Sequence, residues 1–298
     1  VGDFLRETRL RKGYTQEEVS YGICTPASLS RIENGAQKPG RLILEKLFER
    51  LGTENNLFNS FVSREDMELY SAIQELIRNI TDDDVAKIEA QIEVVERLAV
   101  NSSELEHQCL YFAKGELARQ KEKDNEKAME MYMKAIHITL PDFDGKNPLR
   151  NNLLTFDEIM IINSIAILYG NSENVITAIQ LDMWLKEYME NKIVDGKMKT
   201  TKYPMIMYNL SCWLEDKGCY REELRMAEQG IDFCVKYGNL ALFPKLVLNK
   251  GGALVKMGDN ENARKYLHQA ITIFDAMGKL EIVQQVTAWC KDNCEFEI

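Results

Sequence analysis

The chain has 298 residues, 45% of them apolar and 28% charged, with only 6 Pro and 17 Gly and a net charge of −10. Such a composition builds a core, so it excludes a disordered or fibrous chain, and the scarcity of Pro and Gly favours helices over a β-rich fold. No run of about 18 uncharged apolar residues is present, which excludes a membrane-spanning helix, and the acidic whole excludes diffuse nucleic-acid binding.

At about 100–200 residues per domain, the length suits two domains, or one small domain plus a repeat array. Residues 1–52 hold nine Lys/Arg and seven Asp/Glu, a balance of +2 that leaves −12 for the remainder. A small module that reaches DNA, joined to a larger acidic body, fits this split. The first residues, Val1 to Arg6, contain no apolar leader, so no secretory signal is expected and only an initiator Met is taken to be missing. Seven scattered Cys, an odd number, fit reduced thiols in the cytoplasm.

A helix is expected over 3–12, ended by Gly13 at the C′ position. Thr15 and Glu18 form a capping box for a second helix over 16–22 that buries Val19. After the tight turn Gly22-Ile23-Cys24, Thr25 caps a third helix, with Pro26 at the first position, where proline loses no hydrogen bond. That helix turns Leu29 and Ile32 inward and stops at Gly35. A fourth over 41–51 contributes Leu42, Leu44, Leu47 and Leu51, and Gly52 closes it.

Two short capped helices joined by a tight turn make a helix-turn-helix, whose second helix must be slim and polar at its start to enter a groove about 12 Å wide. Thr25, Pro26, Ala27, Ser28 and Arg31 then face base edges, Arg31 as the bidentate guanine contact. Gln16 opens a helix whose dipole favours a phosphate, and Gln37 and Lys38 reach the flanking backbone. The competing reading of each is a solvated surface side chain. Glu33 is expected to pair with Arg6 or Arg9 inside the module.

The run T-Q-E-E-V-S-x-G-I-C … L-S-R-I-E-N-G-A-x-x-P resembles the Xre/Cro class of repressors. Its short turn, with I-C before the recognition helix, is similar to the PlcR-type branch of the peptide-pheromone regulators, a group that includes Rgg and PrgX. The match is dense over residues 1–52 and architectural beyond them.

Residues 53–63 read as a short linker. Helical periodicity then fills 64–298, with helices expected near 64–80, 82–100, 103–121, 124–139, 149–170, 173–192, 203–217, 220–238, 241–257, 260–276 and 279–292. The segment Asn249 … Gly258 … Ala263-x3-Leu267-x2-Ala270 follows the tetratricopeptide pattern, in which small residues let paired helices approach. Further copies run Asn209 … Gly218 … Ala227-x2-Gly230 and Ala128-x3-Tyr132-x2-Ala135, with a fourth at Asn163 … Gly170 … Ala178. The fold class is therefore all-α: an N-terminal helix-turn-helix bundle, then a tetratricopeptide-like right-handed α-superhelix with a concave binding face.

Asn163, Asn209 and Asn249 each interrupt an apolar run on the first helix of a pair. A buried amide without partners costs about 1–3 kcal/mol, so each must bond another repeat or face a wet groove. An amide offers one acceptor and two donors, which suits an extended peptide backbone. Adjacent units about 10 Å apart, against about 3.3 Å per extended residue, suit a ligand of roughly five to nine residues. Lys202 and Lys245 share those faces, Lys114 has a comparable place earlier, and each is a candidate for a ligand carboxylate. Met205 and Trp213 are candidate pocket walls. Cys290 and Cys294 read as core thiols, and His107, His137 and His268 are isolated. No metal, cofactor or catalytic constellation is expected, so the chain is not read as an enzyme.

The resemblance implies a cytoplasmic transcription regulator that binds a palindromic operator in double-stranded DNA as a homodimer, controlled by a short linear signalling peptide in the concave face. Two rivals stay open: a repeat domain that docks a partner protein instead, and a protein-contact scaffold or enzyme regulator with a vestigial DNA-binding module.

Overall fold

A computed structural model describes residues 1–53, 64–81, 84–99, 103–149, 153–192 and 196–294. The expected linker therefore lies, apart from Thr53, outside the described residues. Among those described, all regular structure is helical: fifteen α-helices and one π-helical turn. None of these helices is long and apolar enough to cross a membrane. The chain divides into two compact units, Val1–Tyr169 with Lys192–Asp195, and Gly170–Asn191 with Gly196–Ile298.

The first unit starts with α1 (Gly2–Lys12), α2 (Gln16–Ser20), α3 (Pro26–Glu33) and α4 (Arg41–Arg50). The local signals act as expected. Gly13 is left-handed at the end of α1, the Thr15/Glu18 capping box opens α2, and Thr25 accepts from the Ser28 N–H with Pro26 behind it. Leu5, Val19, Leu29, Ile32, Leu47, Phe48 and Leu51 form the core, and Leu105 from a later helix and Leu153 from the segment before another join it. Gly22 needs a glycine twice over: its φ is +68°, and a Cβ would collide with the Thr139 carbonyl.

The unit continues with α5 (Arg64–Thr81), α6 (Val85–Leu98), α7 (Glu104–Leu117), α8 (Asn125–Thr139) and α9 (Phe156–Gly170). The helix expected over 103–121 instead changes at Ala118 into a π-turn, Ala118–Glu122, and Lys123 ends it in the left-handed region at φ 57°. Glu116 explains the anchorage there. Its carboxylate is buried yet accepts from Tyr132 and Ser164 at 2.7 Å each, from Arg119 at 2.5 Å and from Gln120 at 3.0 Å. Burial pushes this acid up, but Arg119 and these donors hold it below its ordinary range.

The helix expected from 149 begins at Phe156. A second capping box sets that start: Glu158 Oε2 accepts from Thr155 N at 2.6 Å, and Thr155 Oγ1 from Glu158 N at 3.3 Å. The same carboxylate receives Arg50 Nη2 at 2.6 Å, and neither side chain of that pair is exposed. Lys46 meets Asp157 at 2.8 Å, and Glu49 accepts from Phe156 N at 2.9 Å. Burial opposes the Lys46 charge, yet Asp157, Glu49 and Glu45 hold its pKa well above the usual value. Helix α4 is thus tied to the first turn of α9 by buried charge.

The second unit comprises α10 (Val175–Asn191), α11 (Gly196–Asp216), α12 (Tyr220–Tyr237), α13 (Phe243–Met257), α14 (Asn260–Ala276) and α15 (Leu280–Asn293). Ala227, Ala263, Leu267 and Ala270 are wholly buried. A Cβ on Gly230 would stand 2.9 Å from Leu246, so the small residues mark close helix approach. Helix α11 starts at Gly196 and not at 203, which leaves Pro204 in its interior. Proline removes the N–H that would bond the carbonyl four residues back. That carbonyl belongs to Thr200, and Asn239 Nδ2 satisfies it at 2.8 Å.

Candidate nucleic-acid and ligand surfaces

Helix α3 presents Pro26, Ala27 and Arg31 to solvent, with its cap Thr25, while Ser28 is half-buried. The polar side chains form a chain: Thr25 Oγ1 donates to Ser28 Oγ at 3.0 Å, and Arg31 Nη2 donates to the same oxygen at 3.4 Å. Ser28 holds the guanidinium along the helix face at little cost, since that bond is long and exposed. Gln37 and Lys38 are exposed just past the helix, and the Ala36 and Gln37 amides bond the Arg31 carbonyl at 2.8 and 3.2 Å, which fixes the chain's exit.

Gln16 has a further attachment. Its Nε2 donates to Glu33 Oε2 at 2.7 Å, so its side-chain amide is turned toward the module. Glu33 also takes a two-point contact from Arg9, at 2.7 and 2.8 Å, choosing Arg9 of the two expected partners. Burial pushes the Glu33 carboxyl up, but the bonds from Arg9 and Gln16 keep it below its ordinary value. The module's buried acid is thus neutralised internally, and Arg31 and Lys38 face outward from it.

In the first unit, Asn163 lies on α9 and is buried, and Lys114 on α7 pairs with Glu96 at 2.6 Å. The other candidates belong to the second unit. Asn209 and Asn249 are half-buried on α11 and α13. Asn209 Nδ2 donates to Asp182 Oδ2 at 3.4 Å. Asn249 Nδ2 donates to Ser211 Oγ at 2.6 Å and lies 3.3 Å from Cys212 Sγ. Both amides therefore bond a preceding helix, the inter-repeat role of the two open to them in the sequence. Lys245 Nζ stands 5.3 Å from the centroid of the Tyr208 ring. Lys202 is buried, Met205 is half-buried, and Trp213 is buried where a Cβ on Gly170 would strike it.

Sequence reasoning missed every buried acid but Glu33, and Glu158, Asp182 and Glu223 show why. Glu158 was legible, because Thr155-Phe156-Asp157-Glu158 is a capping-box pattern. Asp182 and Glu223 carry no local signal. Asp182 is wholly buried, and burial raises its pKa far above the carboxylate range, with the Asn209 bond opposing. Glu223 is also wholly buried, and neither of its oxygens has a hydrogen-bond partner.

Three family patterns match this chain. Residues 146–293 match the RNPP family C-terminal domain, residues 5–54 a helix-turn-helix, and residues 110–139 a tetratricopeptide repeat. An uncharacterised helix-turn-helix-type transcriptional regulator of Bacillus subtilis (strain 168), YqaF, is 38% identical over 63 residues, covering 21% of this chain and 83% of that protein. Among solved structures, PlcR of Bacillus thuringiensis in complex with the peptide PapR7 and DNA is 19% identical, with a TM-score of 0.62 over 96% of this chain and 98% of that one. Apo PlcR has 18% identity and a TM-score of 0.58, covering 96% and 97% of the two chains. The apo competence regulator ComR of Streptococcus vestibularis has 14% identity and a TM-score of 0.53, covering 98% and 97%. At these identities the structures bear on the fold alone.

Proposed function

The chain belongs to the RNPP family of helix-turn-helix transcription regulators, and from that premise we propose that it is a cytoplasmic homodimer whose DNA binding is set by a short linear peptide. Helix α3 enters the major groove of each half-site, about one DNA turn apart on a palindrome. Arg31 reads guanine, Ser28 holds it in place, and Lys38 meets the backbone. The array of helices from 64 onward is the receptor and dimerisation domain, with residues 1–52 as the DNA-binding domain. Asn209 and Asn249 grip the peptide main chain, and Lys245 is the candidate for its carboxylate. The ligand acts by preferring one arrangement of the receptor helices.

The observation that carries the reading is the outward chain Thr25–Ser28–Arg31 on α3, with the module's own acid, Glu33, sequestered behind it. A single module of charge +2 binds weakly at physiological salt, whereas two held together gain an effective concentration in the millimolar range. Selection from randomised duplex DNA tests this directly. Full-length protein should enrich a palindrome, and residues 1–60 alone should lose most of that affinity. Calorimetry with synthetic peptides encoded beside the gene tests the receptor role. A monomer by sedimentation at micromolar concentration, with undiminished binding by the fragment, would overturn the dimer.

A further inference from the structure

Among the described residues, the buried acids follow one rule with one exception. Glu33, Glu116, Asp157, Glu158 and Asp182 are all buried, and each accepts a hydrogen bond or pairs with a cation. Glu223, in the first turn of α12, is equally buried, and both carboxylate oxygens are without a partner. A buried acceptor left without a donor destabilises the fold, so its survival calls for a use.

Its surroundings say which use. Burial raises its pKa first, Glu215 and Asp216 at the end of α11 add to the rise, and Lys256 at the end of α13 opposes it. Lys256 is itself directed at α15: Nζ lies 3.4 Å from Asn293 Oδ1 and 5.7 Å from the centre of the Trp289 ring. Negative charge is therefore in excess at this edge of the array. The place adjoins the ligand candidates. Tyr208, Cys212 and Glu215 recur at helical spacing along one stripe of α11, and Cys212 touches Asn249 while feeling the charge of Glu223.

We infer that Glu223, with the half-buried Glu215 near it, is the seat for a cationic group of the ligand, an ammonium or guanidinium carried beside the segment that Asn249 holds. This rests on the peptide reading above and adds the charge of the peptide and the place where it is read. Burial, with Glu215 next, pushes the Glu223 carboxyl up to about 8. The empty seat is then a neutral acid at pH 7, and an arriving cation displaces that proton to solvent. Cys212, Glu215 and Asp216 on α11 and Lys256 on α13 are the titratable groups that face it. Cation capture should strengthen by up to about tenfold per pH unit between 6 and 8.

The test uses full-length protein immobilised against randomised heptapeptide pools, read by mass spectrometry. One pool contains Lys and Arg, a second replaces them by norleucine and citrulline, and each is made with free and with acetylated N-termini. The wild type should enrich cationic peptides about tenfold or more over their neutral counterparts. Glu223→Gln, which mimics the neutral acid, should lose that preference while still retaining neutral peptides. Glu215→Gln should weaken it, and serves if the first variant does not fold. Loss of enrichment on acetylation assigns the cation to the peptide's N-terminus; indifference assigns it to Lys or Arg. Retention of peptides with no preference for cations, or an unchanged preference in both variants, overturns the seat and leaves the peptide reading standing. Retention of no peptide at all overturns both.

Discussion

The joint between α4 and α9 makes an asymmetric prediction. Arg50 and Glu158 pair at 2.6 Å with both side chains fully buried. Glu158 has a second task, since it accepts from the Thr155 amide and opens α9. Arg50 contributes less than its charge suggests, because its Nε and Nη1 are buried without partners. Glu158→Gln leaves the Arg50 charge buried and uncompensated, which costs about 3–5 kcal/mol. Arg50→Met removes the charge together with two unsatisfied donors. Glu158 keeps its bond from the Thr155 amide, so the loss should be smaller, about 1–2 kcal/mol. The double variant should resemble Arg50→Met alone, giving a coupling of about 3–5 kcal/mol, the whole cost of Glu158→Gln. Guanidinium unfolding followed by circular dichroism measures all four proteins, and amide hydrogen exchange in α4 and α9 places the loss. Equal costs for the two single variants, or simple additivity in the double, would refute the reasoning.

Three further outcomes follow from other parts of the chain. Arg31→Ala should cost about 1–3 kcal/mol at the selected operator and relax preference at one base pair, whereas Lys38→Ala should weaken all sequences alike and lower the salt slope; intact operator preference in a selection with Arg31→Ala would remove α3 from the groove. Gly22→Ala should destabilise the first unit by about 1–3 kcal/mol, through the left-handed backbone and the Thr139 carbonyl behind it; an unchanged denaturation midpoint would contradict that packing. The Glu223 carboxyl rises from 4.5 to about 8, so the folded state binds its proton more tightly than the unfolded chain. Its contribution is complete below pH 4.5 and is lost as pH rises towards 8, by about 1.4 kcal/mol per unit. Glu223→Gln should flatten that slope in thermal unfolding, and an unaltered slope would mean that another group titrates.

Much of the fold could be read from residues one to four apart, because caps and helix faces are decided over that distance. Thr15 with Glu18, Pro26 behind Thr25, and Gly13 each carry their whole physical reason within one turn, and the helices they bound stand where expected. The alternation of Ala and large residues at 128–135 and 263–270 was equally legible, since it encodes how closely one helix can approach the next. The start of α9 was of the same local kind and lay open in Thr155 and Glu158. Pro204 was different. Read locally it begins a helix, and only Asn239, 35 positions on, supplies the donor that lets the helix run through it. The amide of Asn249 could serve a peptide or another repeat on its sequence alone, and the approach of α11 brings Ser211 to it at 2.6 Å. Arg50 and Glu158 are 108 residues apart, and the absence of any donor around Glu223 is a property of the packed helices around it. The sequence by itself determined the helices and their apolar faces, because those energies are local. Only the tertiary structure decided which polar groups meet and which remain unmet, because desolvation and charge pairing depend on neighbours that the chain's order does not name.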